Sequence, residues 1–178
     1  MKSWIVRSLA ATVIAIVTAL SLVAPASATP RATLKAAAEA VAFEKVGGSN
    51  YAKYKAKYPT QLNWTNDGCS VPDKVLVLGG LGVVLKLYGK VFEHSCDRHD
   101  FGYRNFGSNT STPGTHPKFS PTRATKNKID SRFYSNMKIQ CDQKYGGIVK
   151  APLREACKAA AKTFYEAVSH YADDAFFG

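Results

Sequence analysis

Apolar residues recur at helical spacing in several stretches of the chain. Residues 33–46 are rich in Ala, Glu and Lys and end at a Gly-Gly pair, which predicts a helix with a glycine stop. Residues 51–58 combine Tyr, Lys and Ala and predict a second, short helix. A long helix is expected after Ser120-Pro121, reaching about Lys144. Pro152 begins a last helix, whose apolar positions are Leu153, Ala156, Ala160, Phe164, Ala167 and Tyr171.

The middle of the chain has a less regular pattern. Two aliphatic runs, at 75–78 and 83–87, flank glycines, and their β-branched residues predict a hairpin. The stretch 75–88 fits an exposed loop that dips into lipid and a buried segment that covers the core equally well. Residues 96–106 predict a helix. We therefore expect a mainly α, compact fold with two long packed helices and a possible small β-hairpin or loop insertion.

Residues 1–28 have the layout of a secretory signal peptide. Lys2 and Arg7 precede an apolar run over residues 8–23, and Ala26-Ser27-Ala28 follows as a cleavage pattern. This run is shorter than the roughly 20 residues that a membrane span needs. We expect a signal peptide at 1–28 and one secreted, extracellular domain at 29–178.

Composition and charge narrow the class of partner. The chain has 178 residues, 46% of them hydrophobic and 21% charged, which is typical of a globular protein and excludes disorder. A formal net charge of +11 favours acidic lipid surfaces, nucleic acid or acidic polymers. A nucleic-acid platform would interleave aromatic and basic residues, and a faint version of that pattern occurs at 51–55. We expect no nucleic-acid partner.

The densest polar cluster is Cys-Asp-Arg-His-Asp at residues 96–100. Cys96 and His99 are three apart and share a helix face, whereas Asp100 is rotated by about 100° from His99. Asp67, in a Thr-Asn-Asp-Gly turn, is a natural partner for Asp100. Two carboxylates and a turn carbonyl make an oxygen-rich site that suits calcium.

His99 also needs a group that orients its ring. Asp130 shares an otherwise apolar face of the long helix with Tyr134, Met137 and Cys141, so it should be buried and partnered. A hydrogen bond between His99 and Asp130 would fix the tautomer and stabilise the imidazolium, as a general base requires.

Four cysteines in an exported chain predict two disulfides. If His99 faces Asp130, Cys96 lies about 4.5 Å along its helix from His99, and Cys141 about 16.5 Å from Asp130. Those two cysteines would then be too far apart to bond. We favour the pairs Cys69–Cys96 and Cys141–Cys157, because the first would tie the Asp67 turn to the His99 helix.

The motifs together resemble the secreted phospholipase A2 family of bacteria and fungi. The segment CDRHDFGYRNF at 96–106 is the strongest match, supported by Asp-Gly-Cys at 67–69 and Lys-Ile-Asp-Ser at 128–131. The likeness covers residues 64–157. It implies a compact helical fold with two disulfides and one calcium ion, and hydrolysis of the sn-2 ester of glycerophospholipids at a membrane or micelle interface. It also implies a monomer, peripheral at the membrane.

Residue by residue, the resemblance implies that His99 is the general base on a water, with Asp130 behind it and Tyr103 supporting the pair. It implies that Asp67 and Asp100 bind calcium through carboxylates, and Gly68 through its backbone carbonyl. The chain has no GxSxG elbow, which agrees with a reaction that forms no acyl-enzyme.

Two features depart from the family pattern, and the second of them bears on substrate access and lipid preference. Gly68 stands where relatives carry a larger residue, and the stretch between Cys69 and Cys96 is long and aliphatic.

The alternative function is that of a non-catalytic, basic membrane-binding toxin or effector on the same scaffold. Intact His99, Asp100 and Asp130 favour the enzyme.

Overall fold

The computed structural model describes residues 29–70 and 81–178, with side chains from residue 87 onward in the second stretch. These residues form six helices and no β-strand, which confirms the mainly α class. The helices are α1 Arg31–Ala42, α2 Asn50–Lys57, α3 Leu81–Phe106, α4 Arg123–Lys144, α5 Ala151–Tyr171 and α6 Asp173–Phe177. The predicted signal peptide and the run at 75–78 lie outside the described residues. No described helix is both long and apolar enough to cross a membrane.

The predicted hairpin is wrong where the structure describes it. Residues 83–87 belong to α3, which begins at Leu81 and runs without a break through the polar cluster. Tyr88, Phe92 and Cys96 follow at intervals of four and pack into one core, so the helical period already operates upstream of residue 96. Tertiary packing of this face outweighs the modest helix penalty of the β-branched valines.

Helices α3 and α4 are the long packed pair, and they run antiparallel. Ser95 contacts Gln140, whereas His99, four residues later on α3, contacts Asp130, ten residues earlier on α4. The two helices therefore run in opposite directions. The helices approach closely at Gly102, where a Cβ would lie 2.9 Å from the Ile129 side chain. This approach lets side chains of the two helices bond directly to each other.

Two disulfides join the elements around this pair, and both predicted pairings are confirmed. Cys69–Cys96 has a Cα–Cα distance of 5.2 Å and ties the segment after Asp67 to α3. Cys141–Cys157 has a Cα–Cα distance of 5.7 Å and ties α4 to α5 inside a buried cluster. The structure is therefore the disulfide-stapled helical fold that the sequence predicts.

The segment after α1 is clamped to the same helix pair. Arg98 of α3 forms an ion pair of 3.2 Å with Glu44, and both side chains are almost fully buried. Asn136 of α4 accepts a 3.0 Å hydrogen bond from the backbone of Val46. These contacts fix the N-terminal segment against α3 and α4 and hold the two helices in register.

Candidate active site

The centre of the site is a histidine–aspartate pair between α3 and α4. His99 Nε2 lies 2.9 Å from Asp130 Oδ1, and both side chains are buried. The His99 ring lies against Tyr103 and Phe133, with ring centroids 4.2 and 4.5 Å away. The helix faces that sequence analysis placed opposite each other therefore meet, and aromatic rings restrict the imidazole.

Asp130 is held as a charged carboxylate by three donors. Besides His99, the Tyr103 hydroxyl donates to Oδ1 over 2.8 Å, and Lys126 Nζ donates to Oδ2 over 2.9 Å. Burial alone would raise the pKa of Asp130, but the bonds and charges of His99 and Lys126 outweigh it and lower the pKa. An ionised carboxylate only accepts, so His99 donates from Nε2 and its Nδ1 keeps the basic lone pair.

Tyr103 serves this arrangement as a neutral donor. Burial, followed by the negative charge of Asp130, raises the pKa of its phenol. Tyr103 therefore keeps its proton and remains a hydrogen-bond donor to Asp130.

Lys126 is the member of this group that sequence analysis missed. It lies one turn before Asp130 on α4, its side chain is fully buried, and it also donates to Val168 O over 2.9 Å. Asp173 of α6 lies 3.6 Å from the same ammonium. The spacing of four residues from Asp130 was a signal in the sequence, because such pairs meet on a helix surface.

A second pair of carboxylates lies beside His99. Asp100 is the next residue on α3, and its Oδ2 accepts a 3.0 Å hydrogen bond from the Asp67 backbone. Asn105 holds the loop that carries Asp67, exchanging two bonds of 2.8 Å with the backbone of Asn63. The Cys69–Cys96 disulfide anchors the other side of that loop.

Two carboxylates lie close together here, and this arrangement favours a positive charge between them. Burial, and then the negative charge of Asp67, raise the pKa of Asp100 to about 8. Arg104 lies across the pair, 3.4 Å from Asp67 Oδ2 and 3.6 Å from Asp100 Oδ1, and partly opposes that rise. Without a stronger cation at the pair, Asp100 therefore keeps its proton to a higher pH than an ordinary carboxyl does.

The donor set fits a hard cation only if backbone and water oxygens complete it. The described residues contain no group of three or more His, Cys, Asp or Glu side chains placed to hold a metal. Calcium takes carboxylates, carbonyls and waters together, so two carboxylates are a usable core. Gly68, which follows Asp67, has a φ of +70°, a left-handed conformation that suits glycine.

His99 and the Asp67–Asp100 carboxylates open into one cavity of about 410 Å³, and Asp130 lies buried behind His99. Its lining includes His99, Tyr103, Asp67, Asp100 and Arg104. The remaining lining residues include three from the loop after α3, one from the junction after α5 and two from α6, namely Asn109, Ser111, Thr112, Ala172, Asp174 and Ala175. A basic imidazole and a carboxylate pair thus face one space, which is the arrangement for hydrolysis assisted by a cation.

Comparisons with known proteins give the family of the chain. The prokaryotic phospholipase A2 family matches residues 39–172, which is most of the chain. The chain belongs to the prokaryotic phospholipase A2 family. That match spans the His99–Asp130 pair and the three candidate calcium ligands, Asp67, Gly68 and Asp100.

A relative of this phospholipase A2 family member comes from a fungus. "Secretory phospholipase A2" of Beauveria bassiana (strain ARSEF 2860) is 33% identical over 92 residues. The match covers 51% of this chain and 38% of the fungal protein, so the chain spans well under half of that relative's length. No solved structure matches the chain.

Proposed function

We propose that the chain is a secreted, calcium-dependent phospholipase A2. It hydrolyses the sn-2 ester of glycerophospholipids to a lysophospholipid and a free fatty acid. The observation that carries this proposal is the cavity that His99, backed by Asp130, shares with the Asp67–Asp100 carboxylates. Family membership and the fungal relative's name support the same substrate class.

In this mechanism His99 acts as general base and then as general acid. Its Nδ1 takes a proton from a water as the water oxygen attacks the sn-2 carbonyl carbon. When the tetrahedral intermediate collapses, the bond from that carbon to the glycerol oxygen breaks, and His99 returns the proton to the leaving oxygen. Asp130 accepts from Nε2 throughout and stabilises the imidazolium. No covalent acyl-enzyme forms.

Tyr103 and Lys126 act through Asp130 in this mechanism. Each donates to a different oxygen of the carboxylate, at 2.8 and 2.9 Å, and so fixes its plane toward His99. Their role is to position the base for the water.

Calcium is assigned to the carboxylate side of the cavity. Asp67 and Asp100 would hold it with the Gly68 carbonyl, and the ion would have to replace Arg104 across the two carboxylates. When bound, calcium supplies positive charge to the substrate phosphate and to the oxyanion of the intermediate.

Secretion and the membrane partner belong to the same proposal. Residues 1–28 would be removed as a signal peptide, and the two disulfides suit an oxidising compartment. The protein would act as a monomer, peripheral at a membrane or micelle interface.

The test is a positional assay on phosphatidylcholine that carries different fatty acids at sn-1 and sn-2. Wild type with calcium should release the sn-2 chain, and a chelator should abolish release. Asp100→Asn should need much more calcium, with its fold checked by circular dichroism. Release of the sn-1 chain, or full activity in the chelator, would contradict the proposal.

A further inference from the structure

Large hydrophobic side chains that are exposed gather at one end of the described structure. Five such residues occur among the described side chains, and four of them belong to this end: Leu87, Ile148, Val149 and Leu153. Ile148 is 92% exposed and Val149 is 96% exposed. The fifth, Tyr171, lies at the opposite end of α5.

The four residues share a location because three helices end or begin there. Ile148 and Val149 lie in the turn between Lys144, where α4 ends, and Ala151, where α5 begins. Leu153 is in the first turn of α5. Leu87 lines a surface depression together with Lys144, which places the beginning of α3 beside the end of α4.

Nothing in the described fold requires two aliphatic side chains at this turn. The turn is held by its backbone: Ala151 N–H donates to Ile148 O over 3.1 Å, and Arg154 reaches Gly147 O over 3.3 Å. The two side chains are therefore presented to solvent by an ordered turn while contributing almost no burial. Such exposed aliphatic groups are typical of surfaces that meet an apolar partner.

The charge around the turn identifies the partner. Lys144 and Lys150 flank it, both are exposed, and no described carboxylate forms an ion pair with either. The chain as a whole carries a net charge of +11. Aliphatic side chains between unpaired lysines complement a bilayer of anionic phospholipids, in which acyl chains lie beneath phosphate groups.

We propose that this end of the molecule is a docking surface for an anionic phospholipid bilayer. We call it the Ile148 surface: Leu87, Lys144, Ile148, Val149, Lys150 and Leu153. Ile148 and Val149 enter the acyl region, and the two lysines contact phosphate groups. Lys144, the member of this surface on α4, lies about 21 Å along that helix from Asp130. The membrane contact is therefore separate from the cavity. The proposal rests on the proposed function only in that the substrate of that function resides in such a bilayer.

The first experiment measures vesicle binding without catalysis. Two proteins are each sedimented, in a chelator, with vesicles of phosphatidylglycerol and phosphatidylcholine. One is the His99→Ala parent, and the other is the same parent that also carries Ile148→Ser and Val149→Ser. Loss of the two aliphatic groups should weaken binding by roughly tenfold or more. Tyr171→Ser is the matched control, an exposed apolar residue outside the surface, and should bind as the parent does.

A second experiment separates the charges of this surface from the overall positive charge. Lys144→Gln with Lys150→Gln should weaken binding to phosphatidylglycerol vesicles by about fivefold per lysine and change binding to pure phosphatidylcholine little. The control is Lys53→Gln with Lys57→Gln, which removes the same charge from α2. A loss in the α2 control equal to or larger than that in the Lys144 pair would overturn the proposal.

A gain-of-signal variant tests insertion directly. Val149→Trp should show a blue-shifted emission on vesicles and quenching by brominated acyl chains. Emission unchanged by vesicles would contradict insertion. A dimer in solution that Ile148→Ser abolishes would assign the surface to a second copy of the chain and also overturn the proposal.

Failure of the proposed function gives a different result. Short-chain phosphatidylcholine, dissolved as monomers, needs no docking surface. If wild type leaves this substrate intact with calcium present, while vesicle binding still depends on Ile148 and Val149, the docking surface stands and the catalytic proposal fails. If wild type hydrolyses it, and Ile148→Ser with Val149→Ser binds vesicles as wild type does, the docking proposal fails alone.

Discussion

Replacing Lys126 with methionine tests whether the buried ammonium positions the Asp130 carboxylate. Lys126 is fully buried and donates to Asp130 Oδ2 and Val168 O, each over 2.9 Å. Methionine has a similar volume and flexibility, so the change removes the charge and its bonds with little loss of packing. Asp130 would keep its bonds from His99 and Tyr103.

The expected magnitude follows from these contacts. Removing one partner of a buried ion pair costs about 3–5 kcal/mol. Because Asp130 keeps two donors on Oδ1, we expect the lower end, about 3 kcal/mol of unfolding free energy. For a domain of this size that lowers Tm by about 6–12 °C. Lys126 does not line the cavity, so kcat should fall by about tenfold while KM stays the same.

The assay combines thermal unfolding with steady-state kinetics on monomeric substrate below the variant's Tm. Lys128→Met is the matched control: this lysine is on the same helix, is exposed, and lies over the Phe43 ring. The control should cost at most about 1 kcal/mol and leave kcat unchanged. A Lys126→Met protein that matches the control in both Tm and kcat would show that the buried ammonium does not position the Asp130 carboxylate.

Three further changes probe the same site and its supports. The pKa of Asp100 is raised from 3.8 to about 8 in the folded protein. In a chelator, this residue's contribution to the free energy of unfolding is therefore complete below about pH 4 and is lost as the pH rises toward 8. Thermal unfolding should show this decline in wild type and a weaker one in Asp100→Asn. Tyr103→Phe removes the 2.8 Å bond to Asp130, so kcat should fall several-fold and urea unfolding should show a loss of about 1 kcal/mol. Cys141→Ala with Cys157→Ala removes a disulfide between cysteines 16 residues apart in sequence. The free energy of unfolding, measured in urea, should fall by about 3 kcal/mol, while calcium binding, measured by calorimetry, should stay unchanged.

The helical period was enough to predict that His99 and Asp130 face each other. His99 and Asp130 lie on helices whose faces could be assigned from the 3.6-residue period, and that assignment disfavoured a disulfide between Cys96 and Cys141. The helices at 123–144 and 151–171 had proline and glycine signals at their ends. Local rules were sufficient at these positions.

The sequence failed where tertiary packing decides. Residues 83–87 have strand-like composition, but they continue a helix whose next turns are buried. Arg104 lies across two carboxylates that meet only after the Asp67 loop folds onto α3. Exposure of Ile148 and Val149 depends on the turn's position at the end of the bundle, and two adjacent residues carry no period.

The most direct test of the account is release of the sn-2 fatty acid by wild type and by His99→Ala with calcium. Before the comparison, Tm measurements establish that both proteins are folded, and sedimentation establishes that they bind vesicles equally. We expect release by wild type and a rate lower by about a thousandfold or more in His99→Ala, because the base is lost. Equal release by both proteins would contradict His99 as the base. Vesicle binding by wild type without any release would identify a non-catalytic membrane-binding protein instead.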